Sequence, residues 1–232
     1  MIILGVETAT TQVGCAIGGA EGVLASFNAN RGRRHAETIT PAIEFVCKQA
    51  RVEMKEISAV AVDIGPGLFT GLRVGIATAK AIAQALRVPM IGLSSLDLLA
   101  FPVRYSNRLI VPVIDARRGE VFTAFYRQVP GGVQRESPFA VMTPDDLASE
   151  LMARTNDHLL VGDGAMRYAS TFSAVGGVEL GTAGSAFPSP AALVELAHPR
   201  AIREEFVQPW ELVPLYLRRS DAEINWDARE SA

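Results

Sequence analysis

The sequence is poor in the residues that staple, chelate or span. Its 232 residues include two cysteines, Cys15 and Cys47, and three histidines, His35, His158 and His198. Two cysteines make no disulfide framework, so a packed core must hold the fold, and the chain reads as a protein of a reducing compartment, the cytoplasm. Each cysteine lies in an apolar pattern and reads as a buried thiol. The histidines are too scattered for a metal site. His35 is followed four residues on by Ile39, so the helical imidazole pair that holds zinc is missing. No apolar run is long enough to cross a bilayer, and Glu7 interrupts the opening run too early for a secretory signal, so no membrane partner is expected. A basic excess is missing too. Twenty-two Lys and Arg stand against 25 Asp and Glu, a formal net charge of −3. That balance argues against autonomous nucleic-acid binding, which needs a basic surface to displace counterions, and leaves room only for a local patch. No G-x-S-x-G nucleophile turn occurs.

What is present is apolar bulk, 49% of residues, enough for a sizeable core. Short apolar or alternating runs predict strands over 2–7, 13–17 and 23–29, with a turn at Gly18-Gly19. Helical spacing of Ile39, Ile43, Val46 and Ala50 predicts a helix over 36–51, with Pro41 tolerated in its first turn. A strand over 57–64, a glycine loop and helix over 65–87, a strand over 89–93 and a short helix over 94–100 complete the first half. The second half opens similarly: a strand over 109–116 carrying Asp115, a turn at Arg117-Arg118-Gly119, a long strand over 120–129, a Gly131-Gly132 turn and another strand. A capped helix starts at Thr143-Pro144, a strand spans 159–162, and a helix runs from Ser189-Pro190 to about His198. Alternating strands and helices indicate an α/β protein. Two units that each begin with a three-strand meander suggest a duplicated, actin-like fold with a cleft between lobes.

The segment from Gly65 to Arg87 carries the most information. GPGLFTG at 65–71 follows a strand and opens a helix, where backbone N–H groups can face an anion. Its spacing matches neither the Walker loop nor the dinucleotide fingerprint, because Thr70 stands where a third glycine belongs. A tight strand-to-helix turn packed on a neighbour is the competing reading. In the helix, Arg73, Lys80, Gln84 and Arg87 share one narrow face, and the rest is apolar or small. A surface helix needs only about a 100° apolar stripe. This one invites cover on more than one side, by its own sheet and by a partner helix admitted by Gly75, Ala79 and Ala83, or else entirely within this chain.

Glu7 and Asp115 at strand ends, with Thr8, are candidate nucleotide or hydrated-metal ligands, or simply turn caps. His35 and Glu37 at the first helix start read as capping or as intersubunit polar contacts. Arg117-Arg118 suits a phosphate, an acidic partner or a solvated turn. Asp63 has no assigned role.

The segments IILGVETAT (2–10), RHAETITP (34–41), IGPGLFTGLRVGIATAK (64–80), GLSSLDLL (92–99), DARRGEV (115–121), VGDGA (161–165) and PLYLR (214–218) together resemble, in the same order, the TsaB (YeaZ) family of bacterial tRNA threonylcarbamoyladenosine biosynthesis. The resemblance covers nearly the whole chain. It implies an ASKHA (actin-like, RNase H-like) α/β fold of two lobes, each with a five-stranded-type mixed sheet flanked by helices. The partner-forming N-terminal lobe would be 1–101, and a smaller, degenerate lobe 102–232, with a loose tail at 220–232. It further implies a noncatalytic scaffold subunit that activates TsaD, joined by the ATPase TsaE and forming a homodimer when isolated. ATP and metal would sit on the partners, and tRNA would be reached only through the complex. The family's contact helices map to about 36–51 and 70–86, giving as interface residues His35, Glu37, Pro41, Leu72, Arg73, Gly75, Ile76, Ala79, Lys80 and Ala83. Against the family pattern, Glu7 replaces a common Asp, Leu68 a common Ser and Asp63 a common small residue. The alternative function is a nucleotide-dependent phosphoryl or carbamoyl transferase acting alone through Glu7 and Asp115.

Overall fold

A computed structural model describes residues 1–30, 32 and 34–218. The first half runs β1 (Ile2–Glu7), β2 (Val13–Gly19), β3 (Gly22–Ala29), α1 (His35–Ala50), β4 (Ile57–Asp63), α2 (Phe69–Leu86), β5 (Met90–Leu93) and α3 (Ser95–Ala100). These strands form one sheet in the order β3-β2-β1-β4-β5. The meander is antiparallel, whereas β4 and β5 join in parallel. Parallel neighbours need long crossovers, which α1 and α2 supply.

The second half runs β6 (Leu109–Arg117), β7 (Glu120–Thr123), β8 (Tyr126–Val129), β9 (Gly132–Arg135), β10 (Ala140–Met142), α4 (Pro144–Met152), β11 (His158–Val161), α5 (Asp163–Arg167), α6 (Ala169–Ser173), β12 (Val178–Leu180) and α7 (Pro190–Ile202). Its main path, β10-β7-β6-β11-β12, repeats the first sheet strand for strand and direction for direction. The hairpin β8–β9 is an addition, attached where Tyr126 pairs with Ile110 of β6.

The duplication expected from the sequence is therefore present, but two of its landmarks move. Gly18 and Gly19 lie inside β2, and the turn is at Ala20-Glu21. The long strand expected over 120–129 is broken at the buried pair Ala124-Phe125, so that β7 pairs with the end of β6 while β8 pairs near its start. The counterpart of β3 is consequently β10, not the strand after Gly131-Gly132.

Each sheet is covered on both faces. Alternation along β1 sends Leu4 and Val6 towards α1 and α2, and Ile3 towards α7. Along β6, Leu109, Val111 and Val113 meet α4 and α6, while Ile110 and Ile114 meet Leu96, Leu99 and Ala100 at the end of the first half. Each repeat thus lends its final helix to the other sheet. Leu193, Val194, Ala197 and Ala201 of α7 pack with Ile3, Ala59 and Ile91 of the first sheet. The division at 101/102 thus cuts through shared packing rather than between two cores, and α7 belongs physically with the first lobe. The helix also runs past His198 to Ile202.

A strap follows α7. Val207 bridges Met90, the Leu215 amide donates to the Ile64 carbonyl at 2.7 Å, and Leu212 is buried in the first core. The tail expected to be loose, 220–232, lies outside the described residues. No helix of the described residues is long and apolar enough to cross a membrane.

Candidate functional site

The turn after β1 is clamped by two helix starts. The Thr8 hydroxyl donates to the Gly71 carbonyl at 2.8 Å, and the Leu68 amide donates to the Ala9 carbonyl at 2.6 Å. The His35 ring Nε2 lies 2.8 Å from the Thr10 carbonyl, which can only accept, so Nε2 carries the proton. His35 therefore neither caps α1 nor faces solvent. It positions the β1–β2 turn. A Cβ at Gly71 would overlap the Thr8 carbonyl, and one at Gly75 the Thr8 hydroxyl. Close approach explains these glycines. The glycine loop is filled by its neighbour, as the packing alternative required.

Glu7 lies deep in this corner. Its Oε1 accepts from the Ala9 amide at 2.8 Å, and its Oε2 from Gln12 Nε2 at 3.4 Å. The parallel register sets Val6 beside Val62, which makes Glu7 and Asp63 neighbours on adjacent strands. Asp63 Oδ1 accepts from the Gly65 amide at 2.8 Å and the Ser95 hydroxyl at 2.7 Å, whereas Oδ2 is buried with no partner among the described residues. Burial pushes the Asp63 carboxyl up to about 7. Burial, with the Asp63 charge adding to it, raises the Glu7 carboxyl well above its ordinary range. A carboxyl held towards its protonated form is a poor ligand for a divalent cation.

The second repeat builds a matching corner. Asp115 Oδ1 accepts from the Arg117 amide at 3.0 Å, and Oδ2 faces the Arg117 guanidinium at 3.0 Å and Arg167 at 3.6 Å. The Asp115 amide donates to Asp163 Oδ1 at 3.0 Å. Burial lifts Asp163 to about 6. The turn carries positive φ at Arg117, Arg118 and Gly119, and its first arginine serves to neutralise Asp115. Glu7 and Asp115 share no hydrogen-bond partner among the described residues, and sequence spacing gave no hint of the two acid pairs, which only the parallel registers assemble.

The helix faces require a larger correction. Of the interface residues expected, His35, Leu72, Gly75, Ile76, Ala79 and Ala83 are buried within this chain. Ile76, Ala79 and Ala83 pack with Val60, Val62 and Met90. Glu37, Pro41 and Arg73 are exposed, and Lys80 is half-buried. What α2 leaves open is a stripe one residue series over: Ala77, Ala81 and Ala85, flanked by half-buried Val74, Thr78 and Ile82. Between α2 and α1 lies a groove of about 490 Å³ lined by Thr40, Ile43, Glu44, Cys47, Thr78 and Ala81 among others. Phe45, 49% exposed, stands on α1 beyond it. The four-residue spacing of those alanines was the available signal.

A family model described as TsaD, tRNA N6-adenosine threonylcarbamoyltransferase, matches residues 22–226. TsaB of Bacillus subtilis is 29% identical, covering 97% of this chain and 98% of that protein. TsaB of Escherichia coli is 32% identical over 71% of this chain and 72% of its own length. The solved structure of YeaZ from Pseudomonas aeruginosa superposes with a TM-score of 0.82 at 27% identity, covering 93% of this chain and 99% of that one. The two-lobed sheet repeat is the actin-like ASKHA arrangement, and the chain belongs to the TsaB family.

Proposed function

We propose that this chain is a noncatalytic subunit in the biosynthesis of threonylcarbamoyladenosine in tRNA. It pairs with a TsaD-type threonylcarbamoyltransferase subunit through the outer face of α1 and α2. A TsaE-type ATPase joins the pair, ATP and metal sit on those partners, and the assembly works in the cytoplasm. The observation that carries this reading is the open stripe Ala77, Ala81 and Ala85 beside the α1–α2 groove. Small side chains on an uncovered helix let a second backbone approach closely, and the neighbouring groove accepts its larger side chains. The same face pairs with a second copy when the chain is alone.

The noncatalytic assignment is supported by how the acids are used. Glu7 is held towards its protonated form and capped on Ala9, and Asp115 is neutralised by Arg117 and Arg167. Neither is left as an open ionised carboxylate of the kind phosphoryl-transfer clefts use for magnesium. Reconstitution tests the proposal. Threonylcarbamoylation of tRNA by TsaD- and TsaE-type partners should depend on adding this chain. An equal rate in its absence would overturn the assignment.

A further inference from the structure

A second feature of α2 is not used by the proposed partner face. A cleft of about 720 Å³ lies between the C-terminal half of α2 and the strap. Its floor is apolar, from Ala83, Val88, Pro89 and Phe206. Lys80 and Arg87 of α2 and Trp210 of the strap also line it. Trp210 is 75% exposed, unusual for a residue that normally buries most of its ring. Among the described residues, Lys80 and Arg87 form no ion pair and no carboxylate lines the cleft. In the strap, Glu205 pairs with Arg203, and Glu211 accepts from the Gln208 amide. Lys80 and Arg87 stand about 10 Å apart along the helix axis, on the same side of α2. The alanine stripe is rotated away from them, so a helix docked there would lie beside this cleft.

An exposed indole and two cations with no ion pair among the described residues, lining one largely apolar cleft, make the combination that holds single-stranded nucleic acid. A base stacks on the aromatic face while the cations take the phosphates. A protein of net charge −3 gains no such contact from its overall field, so the patch must act locally. We propose that this cleft is a contact for a single-stranded segment of RNA, with one base on Trp210 and two phosphates on Lys80 and Arg87. The proposal rests on the tRNA role above and adds to it a contact made by this chain directly.

The test is made on the full chain carrying Trp226→Phe, so that emission reports Trp210. An oligouridylate of about eight nucleotides should quench that emission saturably, and log affinity should fall with log salt at a slope of about −1.4, as two single-strand phosphates give. Lys80→Ala with Arg87→Ala should flatten the slope. Trp210→Ala, followed by fluorescence anisotropy of a labelled strand, should weaken binding about tenfold. Arg87 and Trp210 are exposed and Lys80 is half-buried, and unchanged thermal melts would establish that the variants fold. Binding untouched by these changes, an equal response to uridine monophosphate, or quenching by an acidic peptide but not by RNA would each overturn the proposal. Co-purification with the TsaD-type partner should be unaffected by Trp210→Ala, so loss of RNA binding and loss of the complex are read separately.

Discussion

The Thr8 hydroxyl donates to the Gly71 carbonyl across 63 residues of chain, and with this bond the first strand end and the start of α2 become one structural unit. The contact is possible only because residue 71 has no side chain. Gly71→Ala should therefore destabilise by about 1–3 kcal/mol through overpacking, lowering Tm by about 5 °C in a chain of this size. Gly132→Ala, where an added Cβ meets nothing within 4 Å, should leave Tm within about 1 °C. Equal melts for the two variants would contradict the close-packing account.

The Glu7–Asp63 pair predicts a pH dependence of definite sign. Asp63 titrates near 7 when folded, against 3.8 as an ordinary carboxyl. Between those values the folded chain binds the proton that the unfolded chain has released, so this site's contribution is present at low pH and is lost as pH rises from about 4 to about 7. Asp63→Asn keeps an acceptor for the Gly65 amide and the Ser95 hydroxyl. Its melting temperature relative to wild type should rise steadily across that window and stay level above it. A constant difference from pH 4 to 8 would show that Asp63 is ionised throughout.

The two faces of α2 predict opposite outcomes for one chemical change. Ala81 is exposed, while Ala83 is fully buried two residues on. Ala81→Glu should leave the melt unchanged and abolish both self-association in sedimentation and co-purification with a TsaD-type subunit. Ala83→Glu forces an unpaired charge into the core and should prevent folding altogether. A folded Ala81→Glu chain that still pairs would refute the partner face.

The state of the acid corners predicts weak nucleotide chemistry. Titration of the isolated chain with ATP and Mg²⁺ should give no saturable heat at concentrations up to about 1 mM, about 4 kcal/mol of binding. Micromolar binding with release of phosphate would instead favour the stand-alone transferase.

The sequence was legible wherever local pattern and long-range packing agree. Ile39, Ile43 and Val46 mark the buried side of α1 because a helix has one period and one sheet beneath it. It was borne out at Gly131-Gly132, where the turn lies at Pro130-Gly131 and β9 begins at Gly132. It was misleading at Gly18-Gly19, where a glycine pair resembles a turn but lies in a strand, and a Cβ on Gly18 would strike Val194 of α7 and the carbonyl of Gly22.

The composition and periodicity of this chain determine an α/β duplication and an unusually apolar α2, since those follow from side chains and their neighbours in sequence. Which side of α2 is covered was decided only in three dimensions. Ala79 and Ala81 are identical in composition and differ by two positions, and the first packs in the core with Val60 and Met90 while the second is exposed. Likewise Glu7 and Asp63 are unrelated in sequence. They become coupled because a parallel register lays β4 beside β1 and removes the water that would otherwise keep both carboxyls ionised.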